Sequence, residues 1–310
     1  MYKKLLNKIN SFDNITIFRH IRPDGDSMFS ALALFEFLKD NFKNKKVKVC
    51  GYDKFDLVTK NDNVSDKFIM NSLAIVLDTS NTNRIDDFRA LASKYIVKID
   101  HHPPLEQYGD MNIVDPKCSS ACELLSKILF SSSFKNFKMS RKACEYLYSG
   151  ILTDTINFKT TNTTADTLMI ASKLVEKGNL QPSDIVEKLF NKDIKSYKKI
   201  TKIRNYLKVD GNFGFIKLND NELKKIGFNS DAAKNNIDEI GCINEFNVWA
   251  FAVEKDKHWD CSIRSKKGYI INKIALKYNG GGHPNASAVK HLNASELKNL
   301  FNDLKILANK

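Results

Sequence analysis

The sequence predicts an α/β protein: an N-terminal domain built on a parallel β-sheet flanked by helices, a helical linker, and a smaller C-terminal α+β domain. Three observations carry that expectation. Between residues 15 and 99, short β-rich apolar runs alternate with longer stretches at helical spacing, the pattern of βαβ units. Helical patterns dominate from residue 118 to 206, and strand patterns return from residue 212. At 310 residues the chain is about twice the usual domain size, long enough for two cores.

The first strand is expected at 15–19, followed by a crossover helix over 27–39 that sets Ala31, Leu34, Phe35 and Leu38 on one face. Further strands follow at 47–51, 73–77 and 95–99, then helices at 119–130, 140–152 and 163–177. A last helical stretch, 182–206, reads as one piece or two; around 191–199 it is Lys-rich and poorly amphipathic, as a linker would be. The domains are therefore set at 1–185 and 211–310, with 186–210 between them. In the second domain strands are expected at 213–218, 245–254 and 258–264, mixed with helices at 221–228, 231–239, 270–278 and 294–307.

Composition argues for an ordinary soluble protein, with 42% hydrophobic and 27% charged residues and no apolar run near the roughly 20 residues that span a bilayer. The basic start MYKKLLNKINSFDN lacks the apolar core and small-residue cleavage site of a secretory signal, so a cytoplasmic location is expected. Six scattered cysteines without a C-x-x-C pair read as small reduced core residues. The net charge of +13 would attract a polyanion by counterion release. It is mostly Lys interleaved with Asn, which an AT-rich genome also writes, so it only supports such a partner.

The chemistry lies in four clusters, each just after an apolar run: His20 with Asp24 and Asp26 in IFRHIRPDGD, Asp78 in AIVLDTS, Asp100-His101-His102 in YIVKIDHHPP, and Asp154 in GILTDTINF. Ligands of open α/β sheets bind beyond the carboxyl ends of the strands, where Asp24, Asp78 and Asp100 fall. Carboxylates and imidazoles suit Mn²⁺, Mg²⁺ or Zn²⁺, and a cluster of them could hold two ions, the arrangement of many phosphoesterases. Taken singly, the residues stay ambiguous. Asp26 could cap the helix starting near Ser27, Asp78 could bridge two metals or cap a helix near Asn81, and nothing local separates Asp154 from a solvated aspartate. Asp100-His101-His102 is more telling, because burying three ionisable groups without a partner costs several kcal/mol.

Near the C-terminus, Gly280-Gly281-Gly282-His283 follows a helix. Consecutive glycines let a backbone approach an anion and present N–H groups to it, although they also simply make turns. Arg264 and Ser265 end the preceding strand, and a guanidinium there suits bidentate phosphate contact.

In this order the residues resemble the DHH phosphoesterase superfamily, and RS…GGGHPNASA resembles its DHH-associated substrate-binding domain. The resemblance spans essentially the whole chain. Its two-domain layout looks like the nanoRNase and pAp phosphatase branch, related to RecJ exonucleases and to bacterial cyclic-dinucleotide phosphodiesterases. It implies that 1–185 is a catalytic metal-binding domain and 211–310 a substrate-binding one. It also implies two divalent cations, Mn²⁺ with Mg²⁺ as the alternative. His20, Asp24 and Asp78 would hold one ion; Asp26, Asp78, His101 and Asp154 the other, with Asp78 bridging.

On the same resemblance His102 would touch the scissile phosphate, Asp100 would support the histidines, and Arg264, Ser265 and Gly280 to His283 would grip the far phosphate or the 3′ portion of a nucleotide. The implied reaction is hydrolysis of very short RNA to mononucleotides together with dephosphorylation of 3′-phosphoadenosine 5′-phosphate (pAp). The alternatives are cyclic di-AMP or linear pApA hydrolysis, and a RecJ-like short single-strand exonuclease. A pyrophosphatase or a non-enzymatic nucleic-acid-binding role fits less well, because the first normally lacks the GGGH segment and the second predicts lost ligands. The partners expected are short RNA or nucleotides and no membrane, with a homodimer left open. Two positions depart from the family pattern: Phe29 and Ala288 stand where glycine is usual.

Overall fold

The computed structural model describes residues 1–230, 233 and 236–310, which form two compact units, Met1–Asn191 and Lys192–Lys310.

The first unit is organised by a five-stranded sheet of order β2-β1-β3-β4-β5. Its strands are β1 (Asn14–Phe18), β2 (Lys46–Val49), β3 (Leu73–Leu77), β4 (Tyr95–Asp100) and β5 (Met111–Val114), and every pairing is parallel. Parallel sheets are covered on both faces, so their central strands are mostly apolar; β3, LAIVL, is buried at every position. On one face Ile15, Ile17, Ile75, Leu77, Val97 and Ile99 join the main core. Helices α1 (Tyr2–Ser11), α2 (Gly25–Asn41), α4 (Ala121–Leu129), α5 (Arg141–Asp154), α6 (Ala165–Gly178) and α7 (Pro182–Phe190) supply most of the rest of it. On the other face Phe18, Ala74, Val76 and Ile96 pack with Ile69 of the short α3 (Asp66–Met70).

Two glycines bring the helices together where the acidic residues lie. A Cβ on Gly25 would come within 2.4 Å of Thr153 Oγ1, and one on Gly150 within 2.2 Å of Cys122 Sγ. Any side chain at either position would push α2, α4 and α5 apart.

The second unit opens with α8 (Ile194–Arg204) and holds a six-stranded sheet of order β10-β11-β9-β8-β7-β6. Its strands are β6 (Leu207–Asp210), β7 (Phe213–Leu218), β8 (Val248–Lys255), β9 (His258–Ser265), β10 (Gly281–His283) and β11 (Ala286–Leu292). Only β7 and β8 run parallel. One face packs under the helices Asn272–Lys277 and Ala294–Ala308; the other meets Ile203 of α8 and Leu223 and Ile226 of α9 (Asp220–Ile226).

The structure adds elements that the sequence reading lacks. The N-terminal stretch is a helix with Leu5 and Ile9 buried. Strands β5, β6, β10 and β11 arise from pairing with neighbours more than from their own propensity, most plainly Gly281–His283. Of the helix expected at 231–239, residues 231, 232, 234 and 235 lie outside the described residues, and its end, Ile237–Glu239, is a 3₁₀ helix. Cys50, Cys118, Cys122, Cys144 and Cys261 are buried and unbridged, whereas Cys242 is exposed. Among the described residues no helix is long and apolar enough to cross a membrane.

Candidate metal centre

Each cluster lies at the end of an element. His20 follows β1 and bridges to Ile85. Asp24 is the N-cap of α2, its Oδ1 accepting from Ser27 N at 3.0 Å. The capping role left open for Asp26 therefore belongs to Asp24. Asp26, buried in the first turn of α2, instead accepts the backbone N–H groups of Ala121 (2.6 Å) and Cys122 (2.9 Å) at the start of α4. Those two unpaired N–H groups of a helix N-terminus suit an anion.

Asp78 follows β3 with φ of 50°, a left-handed backbone that Asp tolerates better than most residues and that often marks functional positions. The 3₁₀ helix after it starts at Thr82 with Asn81 as its N-cap, so Asp78 does not cap it. Asp100 is the last residue of β4, and Asp154 the last of α5.

These ends converge. His20 Nε2 lies 3.6 Å from Asp24 Oδ2 and 3.3 Å from Asp78 Oδ2. His101 Nε2 lies 3.5 Å from Asp78 Oδ1 and 3.9 Å from both Asp26 Oδ2 and Asp154 Oδ2. The two oxygens of Asp78 thus face two different donor groups, His20 with Asp24 and His101 with Asp26 and Asp154, and each group is compact enough to hold a metal ion. Each imidazole is oriented through its other nitrogen: His20 Nδ1 pairs with Ile21 O at 2.8 Å, and His101 Nδ1 with Cys118 O at 3.3 Å. A carbonyl only accepts, so both Nδ1 atoms carry hydrogen and both Nε2 atoms face the carboxylates, the arrangement usual for metal-ligating histidine. His102 differs, with Nδ1 2.8 Å from Asp100 Oδ1 and 3.5 Å from Asp78 Oδ1.

The electrostatics are those of a site built for added positive charge. Burial, then the neighbouring Asp78 charge, pushes the Asp26 carboxyl up to about 7. Burial and Asp26 hold Asp154 well above the usual carboxylate range. Burial would lower His20 and raise Asp78, but their mutual hydrogen bonding, with Asp24 and His101, outweighs it: His20 rises to about 10 and Asp78 falls below its usual range. Asp78 Oδ1 is buried with its nearest donors, His101 Nε2 and His102 Nδ1, both 3.5 Å away, so that no close hydrogen bond satisfies it. Crowded buried carboxylates, outward-turned imidazoles and that orphaned oxygen fit divalent cations.

In the second unit antiparallel pairing sets His283 opposite Ala286, Ala286 opposite Arg264, and Arg264 opposite Trp249, and opposed residues share a sheet face. His283 and Arg264 therefore flank one small residue on the same face. Ser265, one position on, turns to the other face; its hydroxyl donates to Tyr269 O (2.6 Å) and accepts from Asn285 Nδ2 (2.9 Å), so it is committed within the fold.

The three glycines divide in the same way. A Cβ on Gly280 would meet Ala288 O at 2.4 Å, and one on Gly282, with φ of 135°, would meet Ala286 O at 2.4 Å. Around Gly281 nothing lies within 4 Å. The hairpin itself requires glycine at 280 and 282; at 281 it does not. Ala288, one of the two departures, lies opposite Gly281. Phe29, the other, is a core residue stacked on Tyr146 with ring centroids 5.9 Å apart.

Lys98 is absent from the sequence reading. Its side chain is fully buried 3.2 Å from Asp100 Oδ2. The available signal is a lone lysine amid apolar neighbours in YIVKID.

Residues 14–151 match the family model described as DHH family, N-terminal domain, and residues 215–310 match the DHHA1 domain. The chain is 37% identical over 314 residues to the probable bifunctional oligoribonuclease and PAP phosphatase NrnA of Streptococcus mutans, covering 99% of this chain and 98% of that protein. It is 32% identical to the bifunctional oligoribonuclease and PAP phosphatase NrnA of Bacillus subtilis, covering 99% and 98%. The fold is that of an exopolyphosphatase-related protein from Bacteroides fragilis, with a TM-score of 0.88 at 24% identity over 100% of this chain and 97% of that one.

Proposed function

The chain belongs to the DHH family of phosphoesterases, and from that premise we propose that it hydrolyses very short oligoribonucleotides to mononucleotides and dephosphorylates pAp. Relatives named for this pair of activities align along nearly the full length of both chains, which supports the transfer. The observation that carries the phosphoesterase chemistry is the division of Asp78 between two donor groups.

His20, Asp24 and Asp78 would hold one divalent cation, and Asp78, Asp26, His101 and Asp154 the second, with Mn²⁺ preferred and Mg²⁺ the alternative. Such ions, when bound, supply Lewis acidity that makes water a nucleophile and offsets phosphate charge. The carboxylates and imidazoles do their part by being fixed before substrate arrives: Asp26 by the N-terminus of α4, the two ligand histidines by backbone carbonyls. His102, with Nδ1 given to Asp100, contacts a non-bridging phosphate oxygen through Nε2. Hydrolysis adds water across a P–O bond, the hydroxyl ending on phosphorus and a proton on the departing nucleoside oxygen.

We assign Arg264, His283 and the backbone at Gly280 to Gly282 to the far phosphate or 3′ portion of the nucleotide; Ser265, whose hydroxyl is committed to the 265–269 turn, supports them from the other face. The first unit is then the catalytic domain and the second the substrate-binding domain, the linker expected over 186–210 being divided between α7 of the first and α8 and β6 of the second, and a cytoplasmic location suits such substrates.

The test is a side-by-side assay with Mn²⁺ of RNA dimers to pentamers, pAp, linear pApA and cyclic di-AMP. The reading expects the short RNAs to yield mononucleotides and pAp to yield AMP and phosphate. Faster turnover of cyclic di-AMP than of any RNA or pAp would replace it with the cyclic-dinucleotide alternative.

A further inference from the structure

We propose that Lys98 is a positioning residue for the hydrolytic site, acting through Asp100 on His102; this rests on His102 being the imidazole that contacts phosphate. In β4 the residues Ile96, Lys98 and Asp100 share one face, and the side chains of Lys98 and Asp100 are both fully buried. An ammonium in this place carries a desolvation cost that an apolar residue of similar size would avoid. Its contacts point to what it does there.

Lys98 Nζ donates to Ser80 O at 2.8 Å and to Glu106 O at 3.0 Å, lies 3.2 Å from Asp100 Oδ2, and stands 5.0 Å from the centre of the Tyr108 ring. One side chain thereby joins the loop that carries Asp78, the end of β4, and the loop that follows His102. The same two loops are laced further out, where Tyr108 donates to Thr79 O at 2.9 Å and the Glu106 carboxylate accepts from Thr82 N at 2.9 Å. Lys98 is the contact nearest the chemistry.

The decisive detail is how Asp100 is shared. Its Oδ1 accepts from His102 Nδ1 at 2.8 Å and from His102 N at 3.2 Å, while Oδ2, buried and accepting no hydrogen bond, has the Lys98 ammonium 3.2 Å away as an ion contact. Rotating the carboxylate would break both arrangements together. The Lys98 charge beside Oδ2 therefore favours this orientation of Asp100, and Asp100 holds the ring of His102 by hydrogen bond. Partners of this outer kind, when removed, typically cost about 10–100-fold in activity without touching substrate.

The test compares full-length wild type with Lys98→Met, Lys98→Gln, Asp100→Asn and the Lys98→Met/Asp100→Asn double variant. One readout is kcat and KM on an RNA dinucleotide with Mn²⁺. The other is the His102 Nδ1–H resonance of the metal-free chain, identified by its loss in His102→Gln. Lys98→Met is expected to lower kcat about tenfold or more with KM unchanged, to broaden or abolish that resonance, and to add no further loss to Asp100→Asn. Lys98→Gln, which keeps a donor toward Ser80 and Glu106, is expected to recover part of kcat. An unchanged kcat, an unchanged resonance, or losses that add to those of Asp100→Asn would overturn the proposal. If Lys98→Met does not fold, Lys98→Gln against wild type and Asp100→Asn is read by the same outcomes. A wild type inactive on every RNA and on pAp would count against the functional reading alone, because the metal-free resonance still reports on the Lys98, Asp100 and His102 chain.

Discussion

Asp78 Oδ2 lies 3.3 Å from His20 Nε2, and both side chains are almost completely buried. With its other oxygen 3.5 Å from His101, Asp78 stands between the two donor groups. Asp78→Asn keeps the shape but replaces one oxygen with an N–H donor that cannot ligate a cation. It should lower kcat on RNA dinucleotides by at least about 10²–10³-fold, while far-UV circular dichroism stays that of the wild type.

Metal binding should release protons. In the metal-free protein the Asp26 carboxyl is pushed up to about 7 and His20 to about 10, so both carry protons at or below neutral pH. Cations need the deprotonated forms, so affinity should climb as pH rises through 7 and fall on the acid side. Calorimetric titration of Mn²⁺ in buffers of different ionisation enthalpy measures the protons released; a heat independent of buffer would contradict the burial argument.

Gly150 should be intolerant of any side chain. Its missing Cβ would stand 2.2 Å from Cys122 Sγ and 3.2 Å from Asp26 Oδ1. Gly150→Ala should destabilise the fold by about 1–3 kcal/mol, as overpacking does, and weaken Mn²⁺ binding through Asp26. Thermal unfolding and metal titration of the variant read the two effects separately.

Gly281 should behave in the opposite way. With nothing within 4 Å of its missing Cβ, Gly281→Ala should unfold at the wild-type temperature yet raise KM for RNA dinucleotides, while Gly282→Ala, at φ of 135°, should lower the unfolding temperature. Equal KM values for wild type and Gly281→Ala would remove this glycine from the substrate contacts.

Much of the site is legible in the sequence because ionisable residues placed just after buried strands need a partner. Asp78 and Asp100 announce themselves this way, and the parallel sheet follows from apolar runs such as LAIVL. Asp154 does not. It ends a helix, and it reaches His101 only because Gly25 and Gly150 let α2, α4 and α5 pack closely, a tertiary fact that the resemblance supplies and local pattern cannot. The exchange of roles between Asp24 and Asp26 depends on where α4 begins, some 95 residues further along. Strands β5 and β10 exist through their ladders, and β10 is made of residues poor in strand propensity. Lys98 shows the limit from the other side: a buried lysine in a strand is visible as an anomaly, but its work appears only once Ser80, Asp100 and Glu106 surround it.

The most direct measurement of the central claim is a titration of the metal-free chain with Mn²⁺, following bound ions per chain and the electron paramagnetic resonance spectrum. Two ions per chain with the multiline signal of a coupled pair are expected, reduced in Asp78→Asn to at most one isolated ion. A single magnetically isolated Mn²⁺ in the wild type, or a coupled pair that survives Asp78→Asn, would contradict it.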